Sequence, residues 1–535
     1  MTTHPPAVGA QTGDRAGTTG VLFSMCLALV LVVASVSAIN LAMPELAVTL
    51  GASNAQLTWI ADAYTVTLAA LVLPLGALGD RLGRRNVLVV GTVVFAVGAL
   101  FAGLSDSADQ LIAWRIVMGL GAAMIMPGTL STITATFPED QRARGVAVWS
   151  GFASAGAILG LVGAGAMLEV WSWRSIFYVS AAMAVAAGVA ALLLARNTWE
   201  EESHRPDLLG ALFTTVGIGS LVFAIIEGNE TSWTEPIVVA SLIVCVLSFA
   251  GYTIAGLRTE HPLLDPRLFR ISGFRAGGVV VVVQFMALFG FLFVGLQYLQ
   301  LILGYSPFIS AVALIPVAAV VVPVSLATPA IVSRIGMNVT MGLALTLLAA
   351  GFVTVSRMDA GSGYLPFLCG LMIAGVGIGL ASSTGTTAIV SSLPLSKQGV
   401  ASAMNDTTRE VGSAIGIALM GAVYSSTYTA NLPDLGGLPP EAAEAARESA
   451  AGGLAVAEQL GSAGAALADT VRSAFMDGLS SSMTIVAVIV AVTAVTSFLF
   501  APRRAGAPVD APATSAPVER EPEDSVGCEP VRDGG

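Results

Sequence analysis

Charged side chains are scarce in this sequence, and the few that interrupt its long apolar runs are the residues able to do chemistry. Asp406, Arg409 and Glu410 fall at spacings of three and four, which places all three on one stripe of a helix. Two acids around one arginine leave one negative charge in surplus, the property a proton carrier needs; an inert local ion pair is the other reading. Asp62 stands near the start of a second apolar run and Arg115 near the start of another, each able to partner the other. Asp62 also reads as a hydrated helix end, and Glu227 reads better that way than as a site. Between two further runs lies Gly76-Ala77-Leu78-Gly79-Asp80-Arg81-Leu82-Gly83-Arg84-Arg85. Glycines in so short a charged turn permit tight bending and close helix approach. Asp80 can pair with an arginine or cap a helix N-terminus, making a latch. A positively charged membrane anchor with an incidental acid is the alternative for this turn.

Other chemistries lack their residues. The histidines, His4, His204 and His261, fall in polar segments, and Cys26, Cys245, Cys369 and Cys528 show neither metal-ligand nor disulfide spacing. No cluster supports a metal site, a cofactor or a nucleophilic triad, so an enzyme is not expected. Gly375-Val376-Gly377-Ile378-Gly379 sits inside an apolar run, where small residues serve close helix packing rather than nucleotide binding. The net charge of -11 is concentrated near Asp434 to Glu458 and from Asp510 to Asp533, and no basic, aromatic-interleaved patch suggests nucleic acid.

The elements that must position these charges are membrane helices. Of 535 residues, 55% are hydrophobic and 11% charged, whereas soluble domains carry about one quarter charged residues. Apolar runs long enough to cross a bilayer lie near residues 21–43, 57–79, 87–104, 111–134, 144–168, 174–195, 209–226, 236–256, 277–300, 308–331, 337–356, 364–391, 400–425 and 479–501. They must be helical, because lipid offers the backbone no hydrogen-bond partner. The first resembles a signal peptide only until it continues through Met43, long enough to span. Asp62 and Asp80 are separated by roughly 27 Å along a helix and so mark opposite ends of the second span.

Arginines sort the loops. Arg81, Arg84 and Arg85, then Arg142 and Arg144, Arg196 and Arg205, Arg258, Arg267, Arg270 and Arg275, Arg334, Lys397, Arg503 and Arg504 all fall on one side. That side is expected to be cytoplasmic, with both termini on it. Arg174, Arg357, Arg447 and Arg472 are exceptions. The opposite side carries a long Ala/Gly/Glu-rich loop near 428–478, with an amphipathic helix expected around Ala455 to Phe475. Residues 1–20 read as a cytoplasmic tail and 502–535 as a disordered one, rich in Pro, Ala and acid.

The turn at Gly76 to Arg85 resembles the signature loop of the major facilitator superfamily. Leu111-Ile112-Ala113-Trp114-Arg115 with Gly119-Leu120-Gly121 resembles that family's arginine-bearing motif, with Met118 where a glutamine is usual. Further matches are to its fourteen-span drug:proton antiporter branch: Trp59-Ile60-Ala61-Asp62-Ala63-Tyr64, Phe137-Pro138, Trp173-Arg174, Pro206-Asp207-Leu208-Leu209-Gly210, His261-Pro262-Leu263-Leu264-Asp265, Tyr298-Leu299-Gln300 and Gly399-Val400-Ala401-Ser402-Ala403. The likeness extends from about residue 21 to 501. Two departures stand out. Ser35 occupies the place of an acid usual in the first span, and the fifth span reads Gly160-Leu161-Val162-Gly163-Ala164-Gly165 where a proline usually follows the first glycine.

The resemblance implies an all-α integral membrane protein of the major facilitator fold: two six-helix bundles, 21–195 and 277–501, with two additional helices within 196–276. It implies proton-coupled export of amphipathic drugs or secondary metabolites through the plasma (inner) membrane by alternating access; a same-fold symporter or facilitator with other coupling or cargo is the first alternative, and a non-transporting membrane receptor, which the charges inside the spans disfavour, is the second. Asp62, Asp80, Arg81, Arg84, Arg115, Asp406, Arg409 and Glu410 are the expected coupling or gating residues. Gly76, Gly83, Gly119, Gly160 and Gly165 are the expected structural glycines. The expected partners are an amphipathic small-molecule substrate, protons and the lipid bilayer, the protein acting as a monomer without a cofactor.

Overall fold

A computed structural model describes residues 15–52, 54–199, 207–230, 232–259, 262–394, 397–432 and 438–503. The acidic C-terminal tail, most of the N-terminal tail, His4, His204, His261 and Cys528 lie outside the described residues. Among the described residues, fourteen helical segments are long and apolar enough to cross a membrane.

The first six helices are α1 (Arg15–Leu50), α2 (Asn54–Leu82), α3 (Arg84–Gly103), α4 (Ala108–Thr136), α5 (Glu139–Val170) and α6 (Arg174–Leu194). They close on one another, α3 against α4 and α6, α2 against α4, and α1 against α5 and α6. Then come α7 (Leu208–Glu230) and α8 (Pro236–Arg258), a pair that leans on α2. The second bundle follows: α9 (Ser272–Gln297), α10 (Pro307–Ala313), α11 (Ile315–Ile335), α12 (Met337–Ser356), α13 (Tyr364–Val390) and α14 (Gln398–Asn431), then the short α15 (Pro440–Glu448) and α16 (Ala450–Gln459) and the long α17 (Ala465–Phe500). Within it α9 packs on α13 and α14, and α12 on α13 and α17. The two bundles meet where α2 and α4 face α14, and where α5 faces α11 and α13.

Side chains on the outer surface are apolar. Leu193, Leu208, Val246, Leu247 and Val492 are all exposed, a surface that water would not tolerate and lipid would. Prolines inside α2 (Pro74), α4 (Pro127) and α11 (Pro323 and Pro329) are compatible with that setting, since neighbouring helices can satisfy the freed backbone groups.

Three boundaries differ from expectation. The first helix starts at Arg15, inside the expected tail, and runs to Leu50. The tenth span is built from two pieces, α10 and α11, because Pro316 near the start of α11 favours a new helix start there. The 428–478 segment is mostly helical. The amphipathic helix expected at Ala455 to Phe475 is instead the end of α16, a short turn and the opening of α17. Alanine, the strongest helix former, fills this stretch and extends α17 well before its apolar part. The Tyr428 hydroxyl donates to the Ala446 carbonyl at 2.8 Å, holding α15 over the end of α14.

Candidate functional site

The charged turn after α2 is built first from backbone. Gly83 adopts φ +101, a conformation side chains resist, and reverses the chain into α3. That reversal sets Asp80 and Arg84 on facing turns, where Arg84 Nε donates to Asp80 Oδ1 at 2.7 Å, both side chains being buried. The Asp80 carboxylate then crosses to the other bundle. It accepts the Gly399 amide at 2.9 Å on Oδ1 and the Val400 amide at 3.2 Å on Oδ2. Those N–H groups belong to the first turn of α14, so Asp80 caps a helix distant in sequence, where its charge also meets the positive end of the helix dipole. Close approach permits this: a Cβ at Gly76 would lie 2.7 Å from Ala403 Cβ, and one at Gly399 would lie 2.5 Å from the Asp80 carboxyl carbon. Arg84 is tied also to Thr198 beyond α6, and Arg81 is half-buried beside this group.

Arg115 is buried in α4 and donates to main-chain carbonyls, Ile60 at 2.8 Å, Ala61 at 2.9 Å and Ser35 at 3.3 Å, with Tyr64 beneath its guanidinium at 4.6 Å. The sequence suggested Asp62 as its partner. Asp62 is half-buried and near enough to add attraction, while the guanidinium donates to carbonyls of α1 and α2. Arg115 thus clamps three helices of one bundle. Gly119 lets α4 reach α2, since a Cβ there would lie 2.6 Å from the Tyr64 carbonyl.

The third group lies on α14. Arg409 Nη1 donates to Asp406 Oδ1 at 3.3 Å, and Asp406, Arg409 and Glu410 are all buried. Asn405 Nδ2 donates to Asp406 Oδ1 at 3.5 Å, while Thr386 of α13 donates to Asn405 Oδ1 at 3.0 Å. The guanidinium of Arg409 sits 5.3 Å from the Trp149 ring centre of α5 and 4.6 Å from that of Phe285 of α9. Trp149 Nε1 donates to Thr129 of α4 at 2.9 Å, which fixes the ring. Among the described residues, Asp406 Oδ2 and Arg409 Nε are buried without a hydrogen-bond partner, so the group has unused polar capacity. Trp149 and Phe285 were not singled out by sequence reading. An aromatic in an apolar run carries no signal of its own there, whereas a charge does.

Gly160 and Gly165 are contact points on α5. A Cβ at Gly160 would lie 2.5 Å from Ala34 Cα of α1, and one at Gly165 would lie 3.1 Å from the Phe308 ring of α10. Ser154 of α5 donates to Ser382 of α13 at 3.1 Å, joining the bundles deeper along the same seam. Asp207, from another of the recognised motifs, caps α7 through the Gly210 amide at 2.7 Å and takes the Leu263 amide at 3.0 Å, a structural role.

The comparisons agree with this architecture. The family model described as Major Facilitator Superfamily matches residues 25–417. The chain is 30% identical to the multidrug efflux pump LfrA of Mycolicibacterium smegmatis, covering 87% of this chain and 93% of that one. It is 30% identical to the multidrug resistance protein Stp of Mycobacterium tuberculosis, covering 74% and 73%. In fold it resembles the human organic anion transporter MFSD10, with a TM-score of 0.59 at 14% identity over 90% of this chain and 99% of that one. With fourteen apolar helices among the described residues, two packed bundles with buried charges on their seam and a family match over most of its length, this chain belongs to the Major Facilitator Superfamily and is a membrane transporter, not an enzyme.

Proposed function

We propose that the protein exports amphipathic drugs or secondary metabolites across the plasma membrane in exchange for protons, as a monomer working by alternating access. The observation that carries this reading is the buried Asp406–Arg409–Glu410 group, packed on Trp149 and Phe285 where the two bundles meet. Buried charges in a membrane are costly, and a surplus carboxylate at a moving seam is a place where gain or loss of a proton changes how the halves attract. The names of LfrA and Stp support export as the direction and drugs as the cargo class.

In this reading residues 21–195 and 277–501 rock against each other around a substrate held between them near the midplane, with the helices of 196–276 attached alongside. The arginine-rich side is the cytoplasmic one and carries both termini. Asp80, Arg81 and Arg84 form the cytoplasmic latch, which is closed in this arrangement of the helices. Protonation of Glu410 removes one negative charge beside Arg409 and so changes how strongly its guanidinium is drawn to the Trp149 ring across the seam. Arg115 keeps the first bundle rigid while that seam opens, and Asp62 serves as a second proton site near the opposite face.

A different coupling mode has one observation in its favour. Ser35, at the place where an acid is usual, turns its hydroxyl onto the Leu31 carbonyl at 2.8 Å and brings no carboxylate to the first span. Inverted vesicles with an imposed pH gradient distinguish the two readings. Dye accumulation that follows the gradient and collapses with a protonophore is expected; flux indifferent to the gradient rejects proton exchange. Susceptibility of a pump-deficient strain with and without the protein tests drug export separately.

A further inference from the structure

Outside the charge network, a cavity of about 290 Å³ opens beside the arginine-rich end of α9. Phe269, Phe274 and Val279 form one wall and Met404 and Thr408 of α14 another. Phe269 and Val279 are exposed at 43% and 45%, so part of the wall faces the outside of the helical bundle. Among the described residues, Arg275 is the one charged side chain of the lining, and it too is exposed. Two more exposed arginines stand close by in the chain, Arg267 and Arg270, on the short turn Pro266–Arg270 that contributes Phe269. The nearest acid in sequence, Asp265, is turned onto that turn's own backbone, accepting the Arg267 amide at 2.9 Å.

An apolar hollow with a guanidinium in its lining and two more arginines close by in the chain has the polarity of an acyl chain below an anionic headgroup. We propose that this cavity binds an anionic phospholipid from the leaflet at the arginine-rich face, one acyl chain between α9 and α14 and the phosphate on Arg275, with Arg267 and Arg270 adding attraction. A zwitterionic lipid offers the same chain with no net charge, and a cationic drug meets like charges. Guanidinium suits the phosphate because its planar donors match two oxygens at once. Bound there, the lipid touches Thr408, next in sequence to Arg409, so occupancy bears on the seam that α14 lines. The proposal needs only the membrane setting and stands whether or not export is proton-driven.

The test uses the full-length protein in detergent micelles, titrated with phosphatidylglycerol or phosphatidylcholine of matched chains and read by native mass spectrometry. Phosphatidylglycerol is expected to bind about tenfold more tightly, and R275Q, alone or with R267Q and R270Q, should bring it to the phosphatidylcholine level. Gly278 lines the cavity, and a Cβ there would meet only Thr408 Cγ2, at 3.9 Å. G278F therefore fills the hollow and should weaken both lipids; V279W, at an exposed wall position, is the second filling variant should G278F fail to fold. Equal affinity for the two lipids overturns the proposal. So does undiminished phosphatidylglycerol binding in the filled variants, or a transported dye that displaces the lipid and is itself retained more tightly.

Discussion

Asp80 and Gly399 are 319 residues apart in the chain and are joined by a 2.9 Å hydrogen bond from the glycine amide to the carboxylate. The same carboxylate holds Arg84 on its own side. One acid therefore serves as ion-pair partner at the end of α2 and as capping group of α14, and the second role requires the two bundles to be in contact at that end. When the bundles separate there, α14 loses a charged cap while the Asp80–Arg84 pair, within one bundle, can persist. The contact thus biases the bundles toward closure at the arginine-rich face by roughly the worth of a cap, about 1 kcal/mol, and more for a buried, charged one.

Removing that bias should open the face. D80N is expected to raise labelling of Ala403→Cys by a membrane-impermeant thiol reagent from the arginine-rich side by about fivefold, in a background lacking the native cysteines. G399A should act likewise, because its Cβ would meet the Asp80 carboxyl carbon at 2.5 Å. Since both changes strike one interaction, the double variant should label no faster than either single one. Unchanged labelling in D80N would remove the latch from the mechanism.

Arg115 donates to three carbonyls on two helices with a planar fork that lysine lacks. R115K should keep the charge and lose most of that geometry, destabilising the protein by about 2 kcal/mol. The check is a thermal-unfolding scan in detergent, where the midpoint should fall for R115K. A midpoint equal to the parent's would mean the clamp contributes nothing.

The parts of this site that the sequence discloses are those lipid makes conspicuous. Fourteen long apolar runs leave little freedom in counting helices, and a charge inside one has few bland explanations. Asp406, Arg409 and Glu410 stand out for that reason, as does Arg115. Partners do not. That Asp80 meets Gly399 rests on packing between distant segments, and no periodicity carries it. That Arg115 turns to the Ile60 and Ala61 carbonyls depends on how α4 crosses α2, which glycine at 119 permits but does not dictate. Helix ends were equally hidden, as α17 shows: alanine extends a helix without adding hydrophobicity, so the apolar run understates it.

The two acids of α14 should separate in function. Asp406 is bonded to Arg409 and Asn405, whereas Glu410, also buried, is the surplus charge of the group. E410Q should abolish accumulation driven by a pH gradient while leaving substrate counterflow at equal pH, and flatten the dependence of transport on pH. D406N strips Arg409 of its bonded partner and should cost about 3 kcal/mol of stability, seen as a lowered unfolding midpoint. Gradient-driven accumulation that survives E410Q would move the proton site elsewhere, with Asp62 next to be tested.

Trp149 gives the remaining test, because it joins Arg409 of one bundle to Thr129 of the other. A ring face attracts a guanidinium by about 1–2 kcal/mol when water is excluded. If that attraction helps return the bundles to their closed arrangement, losing it slows the cycle by roughly tenfold. W149L should therefore reduce the maximal transport rate with little change in the substrate concentration for half-maximal rate. W149F keeps a ring but loses the indole N–H that anchors it to Thr129, and should fall between W149L and the parent. A simple packing defect gives the same order but lowers the unfolding midpoint in step with the rate, so that transport tracks stability. Measuring rate and midpoint on the same three proteins decides between the two, and a W149L rate equal to the parent's removes Trp149 from the coupling between bundles.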